Sequence, residues 1–254
     1  MKIVKIPFSM GAMGKNDGCE KAPDKIIENL KEIELNENNH KVNFEVSEPE
    51  LNLDNLDKLQ EQLSELEGDF FIGGDHSITY GLFNGMKGED KGLIIFDAHL
   101  DMDVSAGSLT HEDFVRSLIE NNKIKPENLI IIGVRKYWKS EIEFLKENNV
   151  KVYWMKNLFE NNLGDVCDEI MEQVSKFDSL YISVDIDSLD PTFAPGSGYL
   201  VPGGLNSRSL LYFIKRFKKL KNLKRVDLVE INPDKDVNDM TSLVGAKIVS
   251  EFIF

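Results

Sequence analysis

Gly92–Asp103 reads GLIIFDAHLDMD. Its first half is an unbroken apolar run of strand length. Its second half sets Asp97, His99, Asp101 and Asp103 at alternate positions. Consecutive rather than alternating apolar residues mark a parallel strand covered on both faces. Crowding four ionisable groups directly behind such a strand is costly, because neighbouring carboxylates repel and burial disfavours charge. A positive charge among them removes the conflict, and the carboxyl end of a strand is where α/β sheets bind ligands.

Working outward, similar β-rich runs recur at residues 2–8, 42–46, 70–74, 128–134, 150–154, 179–185 and 224–231. Helical spacing lies between them. It is seen in APDKIIENLKEI with Pro23 near its start, LDNLDKLQEQLSELE, HEDFVRSLIENN, SEIEFLKENN, MKNLFENNLGDVCDEIMEQVSKF, SRSLLYFIKRFKKL and DMTSLVGAKIVSEFIF. Strand and helix alternate from end to end, which predicts an α/β fold with a mainly parallel sheet. With no Pro/Ser linker, low-complexity tract or repeat, residues 1–254 read as one domain.

Three more strand ends carry acids or histidine: GGDHS at 73–77, DIDSLDP at 185–191 and EINPDKD at 230–236. In an extended segment residues i, i+2 and i+4 share a side, so Asp97, His99 and Asp101 would group, as would Asp185 and Asp187. With His76, that makes four carboxylates and two imidazoles. Singly, each motif has an ordinary explanation as a turn or a helix cap. Together on one sheet edge they point to two divalent ions with bridging carboxylates. Hard oxygens mixed with imidazole suit Mn²⁺ ahead of Zn, Fe, Ni or Co, and a two-metal site makes hydroxide near neutral pH and clamps an electrophile.

Lys+Arg total 30 against 44 Asp+Glu, for a net charge of −14. This argues against nucleic acid as a partner, since phosphate binding needs clustered cations. Cys19 and Cys167 form no CxxC pair, which predicts a reducing, cytoplasmic setting. No run approaches the roughly 20 apolar residues of a membrane span, and the N-terminus has no signal-peptide pattern.

GGDHS, DAHLD, SVDIDSLDP followed by APGSG, and VEINPDKD resemble the motifs of the ureohydrolase family, the arginases, agmatinases and their relatives. GCEKAPDKI also resembles a segment that precedes the family's first helix. The resemblance implies a three-layer α/β/α fold on an eight-stranded, mainly parallel sheet, and two Mn²⁺ per chain. Carried over, His76, Asp97, Asp101 and Asp185 would hold one ion. Asp97, His99, Asp185 and Asp187 would hold the other. A bridging hydroxide would attack a guanidinium carbon, releasing an amine and urea. Asp101 would accept a hydrogen bond from that hydroxide, and Glu230 would pair with the guanidinium. His111 would protonate the leaving amine. In the family a Gly usually follows that His, whereas Glu112 follows it here; the competing reading makes His111 a helix N-terminal residue behind Thr110.

Substrate choice is less determined. The loop MDVSAGSLT lacks the Asn expected of an arginase, although Ser105 and Ser108 are present, and its shortness points to agmatine. Lys136 and Lys139 would instead suit a guanidino acid such as guanidinobutyrate if they faced the site. Trp138 is read as a substrate-facing wall or as packing. A non-catalytic metal-binding relative is the reading from another class, and a single-zinc deacetylase-type hydrolase would bind one metal. The resemblance also implies a homo-oligomer, trimer or hexamer.

Overall fold

A computed structural model describes residues 1–105 and 107–253. Eight strands form one sheet: β1 Lys2–Ile6, β2 Glu45–Ser47, β3 Phe70–Gly73, β4 Lys91–Phe96, β5 Leu129–Ile132, β6 Lys151–Tyr153, β7 Ser179–Asp185 and β8 Leu223–Val229. The order is β2-β1-β3-β8-β7-β4-β5-β6 and every pairing is parallel. The expected α/β architecture is therefore present. The strands are mostly shorter than their sequence patterns. β2, an edge strand, starts later than expected because its ladder with β1 runs only from Lys2↔Glu45 to Val4↔Ser47.

Among the described residues the helices are α1 Ala22–Lys31, α2 Leu56–Glu65, α3 Ile78–Asn84, α4 Phe114–Glu120, α5 Lys139–Asn148, α6 Met155–Glu160, α7 Leu163–Val174, α8 Ser207–Phe217 and α9 Met240–Phe252. Both faces of the sheet are covered. Along β4, Ile94 and Phe96 join one apolar cluster with α1, α7, α8 and α9, while Leu93 and Ile95 join the other with α2, α3 and α4. That explains the unbroken apolar run.

Two helical expectations change. The long pattern from Met155 splits, because the Asn162 side chain accepts from the Gly164 and Asp165 amides at 2.8 and 3.4 Å and caps a new helix. α4 begins at Phe114 rather than His111, since the Asp113 carboxylate accepts from the Thr110 amide at 2.6 Å and holds 110–113 in a turn. α3 follows GGDHS, where the helix-cap explanation of that motif puts a helix, although Gly81 and the β-branched Ile78 and Thr79 weaken its periodic pattern and the Ser77 side chain makes no cap bond. Gly81 is there for packing: a Cβ would lie 2.7 Å from the Gln60 carbonyl of α2.

Cys19 and Cys167 are buried free thiols. Among the described residues no helix is long and apolar enough to cross a membrane.

Candidate metal centre and pocket

β3, β8, β7 and β4 are consecutive in the sheet, and their carboxyl ends carry the four motifs. His76 follows β3, Glu230 follows β8, Asp185 ends β7, and Asp97 follows β4. Adjacent parallel strands lie about 4.8 Å apart, so four successive ends bring side chains into ligand range.

His76 Nδ1 lies 3.1, 3.2 and 3.3 Å from carboxylate oxygens of Asp97, Asp101 and Asp185. His99 Nδ1 lies 3.0 Å from Asp187 and 3.4 Å from Asp97. Two ligand-competent groups result, His76–Asp97–Asp101 and Asp97–His99–Asp187, sharing Asp97. The remaining carboxylate oxygens are oriented by main-chain amides: Asp97 accepts from His99 N (2.7 Å), Asp185 from Asp187 N (2.7 Å), and Asp187 from Ala98 N (3.0 Å).

Asp97, His99 and Asp101 do not lie in one extended segment, contrary to the expectation from their alternate spacing. β4 stops at Phe96, and Asp101 has a left-handed φ of 52°. A turn aims Asp101 at His76, and the Asp101 carbonyl then receives the Val115 amide of α4. Glu230 is likewise left-handed, at φ 66°. Such backbone strain in non-glycine residues clusters at functional sites.

The donors fit divalent metal. His76 Nδ1, Asp97 Oδ2, His99 Nε2 and His111 Nε2 are buried polar atoms without a hydrogen-bond partner, half of those among the described residues. An orphaned buried polar atom costs about 1–3 kcal/mol; His76 Nδ1 and Asp97 Oδ2, 3.1 Å apart in one ligand-competent group, therefore signal a missing cationic partner. Burial first, then the charges of neighbouring acids (Asp97, and for Asp185 also Asp187), hold the Asp101 and Asp185 carboxyls well above the carboxylate range; a cation would reverse this. His76 has the outer support of a metal ligand. Its Nε2 is 2.8 Å from Ser183 Oγ, which donates to the fully buried Asp227 carboxylate. Asp227 also accepts from Thr79 Oγ1 at 2.7 Å and Tyr181 OH at 2.8 Å.

Beside this cluster His111 is buried, and its Nδ1 lies 2.9 Å from Glu230 Oε1. It caps nothing. Burial would lower its pKa, but the facing Glu230 outweighs that and lifts it to about 9. Glu230 also accepts from the His76 amide at 2.8 Å and from Asn16 Nδ2 at 2.7 Å, so both its oxygens are held.

A pocket of about 260 Å³ opens above, lined by His76, His99, Asp101, His111, Asp185, Asp187 and Glu230 below and by Lys15, Glu112, Lys136, Trp138 and Tyr199 further out. Trp138 is thus at the mouth but 61% exposed, while Tyr137 beside it packs edge-on against Trp154. Lys139 lies outside the lining, its side chain 91% exposed and 3.6 Å from Glu143.

The sequence reading missed Asn16, Lys15 and Tyr199. Asn16 and Lys15 sit in the irregular segment after β1, and Tyr199 in the long loop after β7. Neither segment has a periodicity to read. The hints were the similarity of GCEKAPDKI, which starts at Gly18, and of APGSG, which ends next to Tyr199, to family segments.

A family model described as the arginase family matches residues 1–254. An arginase from Staphylococcus aureus strain MRSA252 is 31% identical over 222 residues, covering 79% of this chain and 73% of its own. A formimidoylglutamase from Halalkalibacterium halodurans is 34% identical over 189 residues, 72% of this chain and 59% of its own. The crystal structure of formimidoylglutamase from Bacillus subtilis superposes with a TM-score of 0.92 at 26% identity, covering 99% of this chain and 85% of that one.

Proposed function

The chain belongs to the arginase family of metal-dependent hydrolases acting on C–N bonds, and from that premise we propose that it is a binuclear-manganese amidinohydrolase. It cleaves the guanidino group of a small substrate to an amine and urea. The observation that carries this reading is the convergence of six candidate ligand residues, all but Asp97 lining the pocket, beside the His111–Glu230 pair. His76, Asp97, Asp101 and Asp185 would hold one Mn²⁺, and Asp97, His99, Asp185 and Asp187 the other. Bound there, the ions supply Lewis-acid polarisation and a nucleophile at neutral pH.

The protein's own groups divide the remaining work. Asp101 accepts a hydrogen bond at the attacking oxygen. Glu230 faces the amidinium and, through Nδ1, fixes the ring of His111. That leaves His111 Nε2, which has no protein partner, to deliver a proton to the departing nitrogen. Glu230, 2.9 Å from Nδ1, favours the charged ring that such a step needs.

A formimidoyl group presents the same amidine carbon, and the formimidoylglutamase relatives favour this as the second reading. The short loop at 102–110 pointed to agmatine, and the panel below includes it. The test is to load the purified protein with Mn²⁺, count metal per chain, and assay agmatine, arginine, 4-guanidinobutyrate, guanidinopropionate, guanidinoacetate and formimidoylglutamate. Urea release with about two metals per chain supports the guanidino reading, and formamide release from formimidoylglutamate supports the second. Two metals with no release from any substrate supports the non-catalytic alternative, and one metal contradicts the binuclear site.

A further inference from the structure

The outer pocket carries two cations in different circumstances. Lys15 Nζ is 2.7 Å from Glu112, whose same oxygen accepts from Tyr199 OH at 2.8 Å, so that charge is neutralised within the protein. Lys136 has no acidic partner among the described residues. Its ammonium lies 5.0 Å from the centre of the Tyr199 ring, and that ring is 5.4 and 5.9 Å from the rings of His99 and His111. Tyr199 therefore spans from the metal-side histidines to one uncompensated positive charge.

A single solvated lysine usually means nothing. Two features separate Lys136 from that background. It lines the pocket whose floor holds the metal ligands, and its backbone is tied to that floor. The Arg135 and Lys136 amides both donate to the Ala98 carbonyl, at 2.9 and 3.0 Å, inside the loop that bears Asp97 and His99. Arg135 also donates through its guanidinium to the carbonyls of Asp187, Leu189 and Val201 at 2.7, 3.1 and 2.7 Å. The loop after β5 is thereby tied both to the metal floor and to the loop that presents Tyr199.

The acids of the outer pocket are mostly taken. Glu112 is engaged by Lys15 and Tyr199. Glu141 accepts from the Met102 and Trp138 amides at 3.1 and 2.7 Å. Asp103 accepts from the Val104 amide at 2.7 Å and has no cation partner among the described residues. An amidine substrate therefore meets carboxylates at its reacting end and an unpaired ammonium further out.

We propose that Lys136 anchors a carboxylate at the far end of the substrate. The chain then acts on amidino acids, guanidino or formimidoyl carboxylic acids, in preference to amidino amines such as agmatine. An α-amino group on the same substrate has Asp103 available. The proposal rests on the hydrolase reading above and reverses the preference for agmatine drawn from loop length. A far ammonium placed beside Lys136 would be repelled, whereas a carboxylate there forms a charge-assisted bond.

The experiment compares the Mn²⁺-loaded wild type with Lys136→Met and Lys136→Arg. It measures kcat/KM on 4-guanidinobutyrate, arginine, formimidoylglutamate and agmatine, and calorimetric binding of 4-guanidinobutyrate and agmatine. The wild type should prefer an acid. Lys136→Met should lower the acid-over-amine ratio roughly 10- to 100-fold, mainly through KM, and Lys136→Arg should largely restore it. Agmatine preferred by the wild type, or a ratio unmoved by Lys136→Met, overturns the anchor and leaves the hydrolase reading standing. If nothing turns over, calorimetry decides. Acid binding weakened by Lys136→Met upholds the anchor while the hydrolase reading falls, and acid binding that is absent or unchanged overturns the anchor as well.

Discussion

Ser183→Ala tests the claim that a buried relay behind His76 serves the metal centre. Ser183 Oγ contacts His76 Nε2 at 2.8 Å and donates to Asp227 Oδ1 at 2.5 Å, with His76 1% exposed and Ser183 and Asp227 fully buried. Thr79 and Tyr181 both reach Oδ2 of Asp227. Removing the hydroxyl thus orphans two groups, His76 Nε2 and Asp227 Oδ1. Each orphan costs about 1–3 kcal/mol, so metal-free protein should lose roughly 2–4 kcal/mol, allowing for relaxation. The metal term is separate. Loss of an outer-sphere partner typically weakens metal binding 10- to 100-fold, equivalent to about 1.4–2.7 kcal/mol. Urea unfolding with chelator and with a fixed Mn²⁺ concentration well above both dissociation constants separates the two, because bound metal adds RT ln(1 + [L]/Kd) to stability. The metal-dependent increment should shrink by about 1.4–2.7 kcal/mol in the variant. A variant that is destabilised without metal but keeps the full increment would refute the relay and reduce Ser183 to packing.

Three further outcomes are expected. His111→Ala should lower kcat by roughly 10²- to 10⁴-fold with metal content unchanged; parallel loss of metal would place His111 in the ligand set instead. Asp185→Asn should lower metal stoichiometry and abolish activity, read by elemental analysis of dialysed protein, because Asp185 contacts His76 and orients Asp187; full retention of metal would exclude it as a bridge. Glu37 is held at about 2 chiefly by its bond to Arg208, against burial, with Lys215 and Lys247 assisting. Its folded value lies below the unfolded value of about 4.3, so its contribution is complete above that pH and is lost as pH falls toward about 2. Thermal unfolding at stepped pH should show a shallower acid loss for Glu37→Gln in that window, and identical slopes would exclude the effect.

The parallel sheet was readable because strands covered on both faces must be apolar throughout, as in Gly92–Phe96, and that constraint is written locally. The six candidate ligand residues stood out in the sequence for a related reason. Buried acids crowded after core strands are too costly to keep without a partner, so GGDHS, DAHLD and DIDSLDP advertise a cation. Helix boundaries were less readable. Asn162, through two amide hydrogen bonds, and Asp113, through one, set them against the apolar pattern around them.

By itself, the sequence determined the fold class and the family motifs with their candidate ligand types, since each depends on residue identity at short spacing. Tertiary structure alone decided the rest. It placed β7 and β8 between β3 and β4, so motifs far apart in the chain share one floor. It turned Asp101 through a left-handed bend toward His76 and gave both oxygens of Glu230 to His111, His76 and Asn16. Of two lysines three residues apart, it brought Lys136 to the pocket and left Lys139 in solvent. Those choices depend on strand order and on hydrogen bonds between distant loops, which local periodicity does not encode.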